Sequence, residues 1–507
     1  MIAKTYSIIP VGFDGSIIEI EGDSSHGLPC FNIVGMASKT ISEARERVKT
    51  ALKNSGFLFP DEKITINLAP ADQEKNGTYL DISIALNILI ITGQLRQEDV
   101  SDSAFIGELS FDGSIRPVKG IVNIAESAKN FGFKRLFVPV KNLAQASLIK
   151  NIKLIGIQNF SDLYLYLKKQ KTLPTVPNLH SITKPASSEP SLSFDQITGQ
   201  TFAKRALSIA VTGHHNILLS GPPGTGKTML SKATLSLLPP LSNSEQVAVT
   251  KIYSLSGLSS DIITSRPFRA PHHTSSVPSL IGGGPNAIPG DISLSHLGVL
   301  FLDELPEYSQ LFLESLRQPL EDHQITISRL KNRVTYPADF MLIATMNPCP
   351  CGYLGDPTHH CTCTESQIQR YQKKLSGPLL DRIDIFVNVN RISTSDLISS
   401  HSVPKTPSIT PSQTTLRRSI SHAISIQHRR YHDKTTYNAS LSSAKIANSL
   451  HLDSSVKSFL DTAAKTLDLS ARSYFKIIKV ARTIADLDNS PTIKQSHIAE
   501  AMNYRKI

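Results

Sequence analysis

The spacing of apolar positions changes several times along this chain. In KITINLAP (Lys63 to Pro70), Ile64, Ile66 and Leu68 recur at every second position, which predicts a half-buried strand. RLFVPV (Arg135 to Val140) also predicts a strand. SEARERVKTALKNSG (Ser42 to Gly56) places Val48, Ala51 and Leu52 at helical spacing and stops at Gly56. Residues 1 to about 170 therefore read as a mixed α+β region. Further on, NILLS, GVLFL and FMLIATM are continuous apolar runs, the pattern of strands covered on both faces. LSARSYFKIIKVARTIADL is an amphipathic helix, and LSSAKIANSL to QSHIAEAMNY is helical in pattern. The longest apolar run, ISIALNILII (Ile82 to Ile91), is interrupted by Ser83 and Asn87. It falls short of the roughly 20 residues a membrane span needs.

Two stretches break the periodic pattern. TLPTVPNLHSITKPASSEPSLS (Thr172 to Ser193) is rich in Pro and Ser and predicts a linker. HSVPKTPSITPSQTT (His401 to Thr415) predicts a mobile loop. The resulting division is 1–170, a linker over 171–191, 192–390, and a helical region over 391–507. With 507 residues, 40% of them hydrophobic and 19% charged, the composition is that of a soluble globular protein. MIAKTYSIIPVG has no secretory pattern, which points to the cytosol. The net charge of +11 is uneven: Arg391 to the end holds 17 Lys and Arg against 8 Asp and Glu. That surplus suits a polyanion such as nucleic acid, or simply a Lys-rich solvated surface.

Three of the apolar segments end in chemistry. NILLSGPPGTGKTML runs from a strand through G-x-x-x-x-G-K-T into a helix. Gly221, Pro222, Pro223, Gly224, Thr225 and Gly226 form a loop whose N–H groups turn toward phosphate. Lys227 reaches the β- and γ-phosphates of a nucleotide, and Thr228 holds Mg2+. GVLFLDELPE ends in two carboxylates: Asp303 for Mg2+ and Glu304 to polarise the attacking water. Asn347 ends the FMLIATM strand and is placed to meet the γ-phosphate or the water. Arg382, between Asp381 and Asp384, reads by itself as an ordinary salt-bridged residue; in a ring ATPase it would be a cation offered to the neighbouring subunit's nucleotide. Arg472, with Arg482 as the weaker candidate, suits a γ-phosphate contact from the C-terminal helices.

These elements, in this order, resemble the AAA+ ATPases, and more closely the magnesium-chelatase-like YifB/ComM branch. GLPCFNIVGMASKTISEARERVKTAL, INLAPADQEKNGTYLDISIAL, GPPGTGKTML, FRAPHHTSS, PGDISLSHLGVLFLDELPE, MNPCPCGYLGD and SGPLLDRIDI carry the resemblance together with the amphipathic helix. It implies an α/β fold: a P-loop AAA+ core with a parallel sheet and flanking helices, an N-terminal α+β Lon-protease-like domain and a C-terminal helical lid. It also implies ATP and Mg2+, a hexameric ring in the bacterial cytoplasm, and branch migration of DNA in natural transformation. A protein-remodelling or chelatase-type ATPase is the alternative.

EKNGTYLD and GELSFDGSIRPVKGIVNIAESAKNFGFKRLFVPVKN resemble Lon proteases and RadA. Lon proteases use a Ser nucleophile and a Lys base; here Tyr79 and Val122 stand at those positions, so peptidase activity is not expected. Two insertions add basic groups. FRAPHHTSSVPSLIGGGPNAIPGDIS, with Arg266 two residues before it, offers Arg269, His272 and His273, with Gly282, Gly283 and Gly284 as a flexible tip. QITISRLKNRVTYPADF predicts a hairpin with Arg329, Lys331 and Arg333 near its turn. Both suit DNA in a ring's pore or, alternatively, subunit contacts. Finally, four of the five cysteines fall in NPCPCGYLGDPTHHCTC. Cys349, Cys351, Cys361 and Cys363 suit Zn2+, with His359 and His360 as spare ligands. The C-x-C spacing is tighter than the usual C-x2–4-C, and reduced, unligated thiols are the other reading.

Overall fold

The computed structural model describes residues 2–35, 39–71, 75, 78–175, 192–259, 261–284, 287–328, 333–391, 412–442, 444–446 and 452–505. Most of the expected linker and most of the loop from His401 lie outside these residues, as do Arg329 and Lys331.

Near the N-terminus a hairpin of Ala3–Val11 and Asp14–Ser25 pairs with Lys63–Ala69, which in turn pairs in parallel with Cys30–Val34. In Lys63–Ala69 the residues Ile64, Ile66 and Leu68 are fully buried, as their alternation predicts. The helix Lys39–Asn54 starts before the predicted Ser42 and packs on the same core. It closes with Phe57 N–H donating to Leu52 O (3.0 Å) and Gly56 N–H to Lys53 O (3.0 Å), while Gly56 adopts φ +79°. A second, parallel sheet of Ser103–Phe105, Arg135–Pro139 and Lys153–Ile157 completes this region.

The apolar run over 82–91 becomes the helix Asp81–Ile91, buried from Asp81 through Ile90. Its polar interruptions satisfy neighbouring strands. Ser83 Oγ donates to Tyr6 O (3.0 Å), and Asn87 Nδ2 donates to Ala3 O (3.0 Å) and Ile20 O (2.9 Å). These bonds offset the burial of the Ser83 hydroxyl and of the Asn87 amide N–H group in an otherwise apolar helix, while Asn87 Oδ1 stays buried without a partner among the described residues. No helix among the described residues is long and apolar enough to cross a membrane.

From residue 192 onward the centre is a five-stranded sheet. Its order is Phe268–Arg269, Val299–Leu302, Met341–Met346, Ile217–Ser220 and Ile385–Asn388, every neighbour parallel. Each apolar run of the sequence is a central strand here, so all carboxyl ends open on one edge. The helix Thr201–Gly213 covers one face together with the C-terminal helices Gln413–Tyr431 and Ala471–Leu487. The other face carries the hairpin Gln324–Ser328/Arg333–Pro337 and its neighbours. Ser412 caps Gln413–Tyr431, so the tail of the predicted loop is helical.

The N-terminal region rests on the helix Asn243–Ser256. Lys251 Nζ pairs with Glu126 Oε2 (2.5 Å) and lies 4.0 Å from the Phe13 ring centroid. Gln145 Nε2 donates to Ser259 O and Asp261 O, each at 3.1 Å, and accepts at Oε1 from Ser254 Oγ at 3.1 Å.

Candidate nucleotide and metal sites

The loop between Ile217–Ser220 and the helix Lys227–Ala233 contains the whole G-x-x-x-x-G-K-T element. Gly224 and Gly226 take φ of +79° and +85°, open to glycine without strain. Thr225 Oγ1 donates to Pro222 O (2.9 Å) across the loop. Lys227, only 9% exposed, donates from Nζ to Gly221 O (2.6 Å), Pro222 O (2.8 Å) and Asn347 Oδ1 (3.3 Å). Burial lowers its pKa, while the charges of Asp303 and Glu304 oppose that shift.

The adjacent strand ends supply the remaining groups. Thr228 Oγ1 donates to Asp303 Oδ2 at 3.1 Å, so the two expected Mg2+ ligands already share one spot. A hard cation takes oxygen ligands of this kind, so the donor set fits Mg2+. Thr345 is the residue that sequence reasoning missed. Its hydroxyl donates to Asp303 Oδ1 and accepts from the Glu304 N–H (3.1 Å). One side chain therefore orients both acidic residues. Its only signal was position: a polar residue two before Asn347 in an otherwise apolar strand. Glu304 adopts φ +53°, a strained region for a non-glycine residue that costs about 1 kcal/mol or more.

Arg382 and Arg472 lie together elsewhere. Both line a cleft of about 550 Å³ with Glu321, His323, Asp381, Lys476 and Lys479, and no phosphate-loop residue lines it. Arg382 does not pair with its sequence neighbours. It binds Glu321 and donates to Pro378 O (2.6 Å), whereas Asp384 pairs with His215 (3.0 Å). Arg472 lies 3.4 Å from Asp381 Oδ2. Arg482 is buried against Asp486 (2.9 Å) and bonded to Ser490 O (2.6 Å), which removes it as a phosphate contact.

The insertions are also more firmly built than their composition suggests. Gly282 and Gly283 are buried and ladder with Ile288–Pro289, and a Cβ on Gly282 would meet Ile327 and the Ile288 carbonyl. They form packed structure rather than a flexible tip. Arg266 donates to Pro239 O (2.7 Å) and Leu297 O (2.8 Å) and pairs with Glu245 (2.9 Å); Arg269 pairs with Asp291 (2.5 Å). Both arginines brace the core. His272 is exposed, and His273 packs edge-on against Tyr308. Arg333, paired with Ser328 across the hairpin, is exposed at its outer end.

Cys349, Cys351, Cys361 and Cys363 converge, with all four sulfurs within 4.8 Å of one another. Sγ–Sγ separations are 3.4 Å (349–351), 3.7 Å (349–361) and 3.6 Å (351–361). A zinc tetrahedron with 2.3 Å bonds has edges of about 3.8 Å, so the donor set fits Zn2+. The N–H groups of Tyr353 and Thr362 pull the Cys351 thiol down to about 5, while desolvation and the neighbouring thiols push Cys361 and Cys363 up. His359 is not needed as a ligand: it stacks on Tyr353, with ring centroids 4.9 Å apart.

In the N-terminal region no comparable group assembles at the Lon-type positions. Tyr79 packs between two apolar cores, and burial pushes its hydroxyl up to about 12. Val122 is fully buried.

Comparison with known proteins agrees with this architecture. Residues 193–397 match the family model described as magnesium chelatase, subunit ChlI; 20–142 match subunit ChlI of Mg-chelatase; and 410–505 match the ChlI C-terminal model. Competence protein ComM of Haemophilus influenzae is 39% identical over 99% of this chain and 97% of its own length. YifB of Salmonella typhimurium is 37% identical over 100% and 97%. Lon protease 2 of Bacillus subtilis is 29% identical over 29% of this chain and 29% of its own length. The fold is that of a P-loop AAA+ core joined to a Lon-protease-like N-terminal region, and the chain belongs to the magnesium-chelatase-like YifB/ComM family.

Proposed function

We propose that this protein is an ATP-hydrolysing ring motor that moves DNA, with branch migration during recombination in competence as its role. The observation that carries the ATPase reading is the convergence of Lys227, Thr228, Asp303 and Asn347 at the carboxyl edge of one parallel sheet. In this reading Lys227 leaves its carbonyl partners for the β- and γ-phosphates, and loop N–H groups hold the remaining oxygens. Thr228 and Asp303 hold Mg2+, which neutralises phosphate charge when bound. Glu304, its backbone anchored by Thr345, orients the water; Asn347 holds the γ-phosphate or that water. Arg382 and Arg472 lie apart from their own chain's phosphate loop, which supports service to a neighbouring subunit's nucleotide and hence a ring, a hexamer by family resemblance. The four cysteines hold a structural Zn2+.

The DNA reading is supported by the likeness to a competence protein and by exposed basic groups. The helix Gln413–Tyr431 contains no acid, and its Arg417, Arg418 and Arg429 are exposed, without an ion pair among the described residues. Arg333, with Arg329 and Lys331 beyond the described residues, supports a pore contact. The division 1–170, 171–191, 192–390 and 391–507 and a cytoplasmic location belong to the same proposal. The match to chelatase models favours a second reading, an ATPase acting on a protein partner.

Strand displacement on a synthetic four-way junction decides between them. ATP-dependent displacement is expected, absent in Lys227→Ala, with DNA-stimulated turnover that falls steeply as salt rises. ATP turnover indifferent to DNA at low salt would reject the motor and leave the second reading. Metal analysis should find about one zinc per chain; none would remove the zinc assignment.

A further inference from the structure

The cysteine loop begins two residues after Asn347, and it touches the phosphate loop directly. Gly352, held by its N–H bond to Cys349 O (3.0 Å), adopts φ +85°. Its α-carbon rests on Pro223: a Cβ there would stand 2.7 Å from Pro223 Cδ and 3.3 Å from Cγ. The same Cβ would lie 3.9 Å from Asn347 Cγ, whose amide oxygen accepts from Lys227. Three residues on, Gly355 adopts φ +76°, yet a Cβ there meets nothing within 4 Å. The loop therefore contains two left-handed glycines. One is required only by the turn; the other is required also by contact with the phosphate loop.

A second connection runs through Arg391. Its Nε lies 3.1 Å from Asp356 Oδ2, an ion pair outside hydrogen-bond geometry, and its guanidinium covers the Tyr353 ring at 5.7 Å. The preceding residue, Asn390, accepts at its carbonyl from Gln200 Nε2 (2.7 Å), which also reaches Thr225 O (3.4 Å). The cysteine loop is thus attached to the phosphate loop at Pro223 and, through Arg391, Asn390 and Gln200, at Thr225.

We infer that the four-thiol site and the nucleotide site are coupled through Gly352 seated on Pro223. Zinc on the cysteines holds the phosphate loop in the shape that receives ATP, and bound ATP holds the cysteine loop closed around its metal. This rests on the ATP and zinc readings above. Coupling of two binding events is reciprocal, so either ligand reports on the other. Gly352 and Pro223 act here as positioning residues.

The test uses the full-length, zinc-loaded protein with two readouts: equilibrium binding of a fluorescent ATP analogue, and zinc release to a chromogenic chelator. G352A should weaken nucleotide binding at least tenfold, with G355A within threefold of wild type, although both add an alanine at positive φ. In a P223A background, where the ring atoms are gone, G352A should lose most of that effect. Saturating ATP should slow zinc release from wild type at least fivefold and do little in G352A. Equal effects of the two glycine substitutions, or additivity of G352A and P223A, would refute the coupling. Release indifferent to ATP in the unmodified protein would do the same, and this measurement needs no variant to fold. If wild type binds ATP but contains no zinc, the coupling falls while the ATPase reading stands. If it binds no ATP, that reading fails as well.

Discussion

The N-terminal region and the ATPase core both place helices on sheets and bury their strands, yet they differ at the positions where chemistry is expected. In the core, Lys227, Thr228, Asp303 and Asn347 come from three different strand ends and meet within hydrogen-bond range. In the N-terminal region the Lon-type positions hold Tyr79 and Val122, both absorbed into apolar packing. One region brings polar groups from separate strand ends into contact; the other places an apolar side chain and a half-buried tyrosine where such groups would stand. A shared fold therefore predicts nothing about activity until the side chains are read.

Four substitutions test this contrast, in descending order of effect. Lys227→Ala should abolish ATP hydrolysis, a loss of at least a thousandfold, because no other described cation reaches the loop carbonyls; phosphate release at saturating ATP measures it. Thr345→Val keeps the shape but removes the hydroxyl shared by Asp303 and Glu304. A 10- to 100-fold fall in kcat is expected, the range for loss of a group that orients metal ligands, with folding intact by thermal melt. Glu126→Ala leaves Lys251 mostly buried without its partner between the two regions. A destabilisation of about 1–2 kcal/mol follows, between the exposed and buried limits, visible as a lowered melting temperature with basal turnover retained. Tyr79→Phe should change neither ATP turnover nor peptide cleavage, since burial keeps the hydroxyl protonated at neutral pH. Peptide hydrolysis by wild type that disappears in Tyr79→Phe would overturn the contrast between the regions.

Much of the core was legible because buried parallel strands are apolar along their whole length. GVLFL, FMLIATM and NILLS each became a central strand, and the groups at their ends became the site. Thr345 was not legible, because its importance arises from register. Ala344 pairs across to Leu302, so Thr345 projects just beyond that strand, beside Asp303. The arginines misled for a related reason. Composition shows a cation but not its partner, and Arg266, Arg269 and Arg482 are bound to Glu245, Asp291 and Asp486, all distant in sequence or a helical turn away. Gly282 and Gly283 looked flexible as a run, yet both are buried in a short ladder, and at Gly282 the Ile327 side chain and the Ile288 carbonyl leave no room for a Cβ.

Local periodicity by itself determined the strands, the helices, the phosphate loop and the clustering of four thiols, because each depends on spacing within a few residues. Only the tertiary structure decided which strand ends meet, which arginines are already neutralised, and that Gly352 lies on Pro223. Those facts depend on tertiary packing, which brings Lys227 to Asn347 across 120 positions and Thr228 to Asp303 across 75.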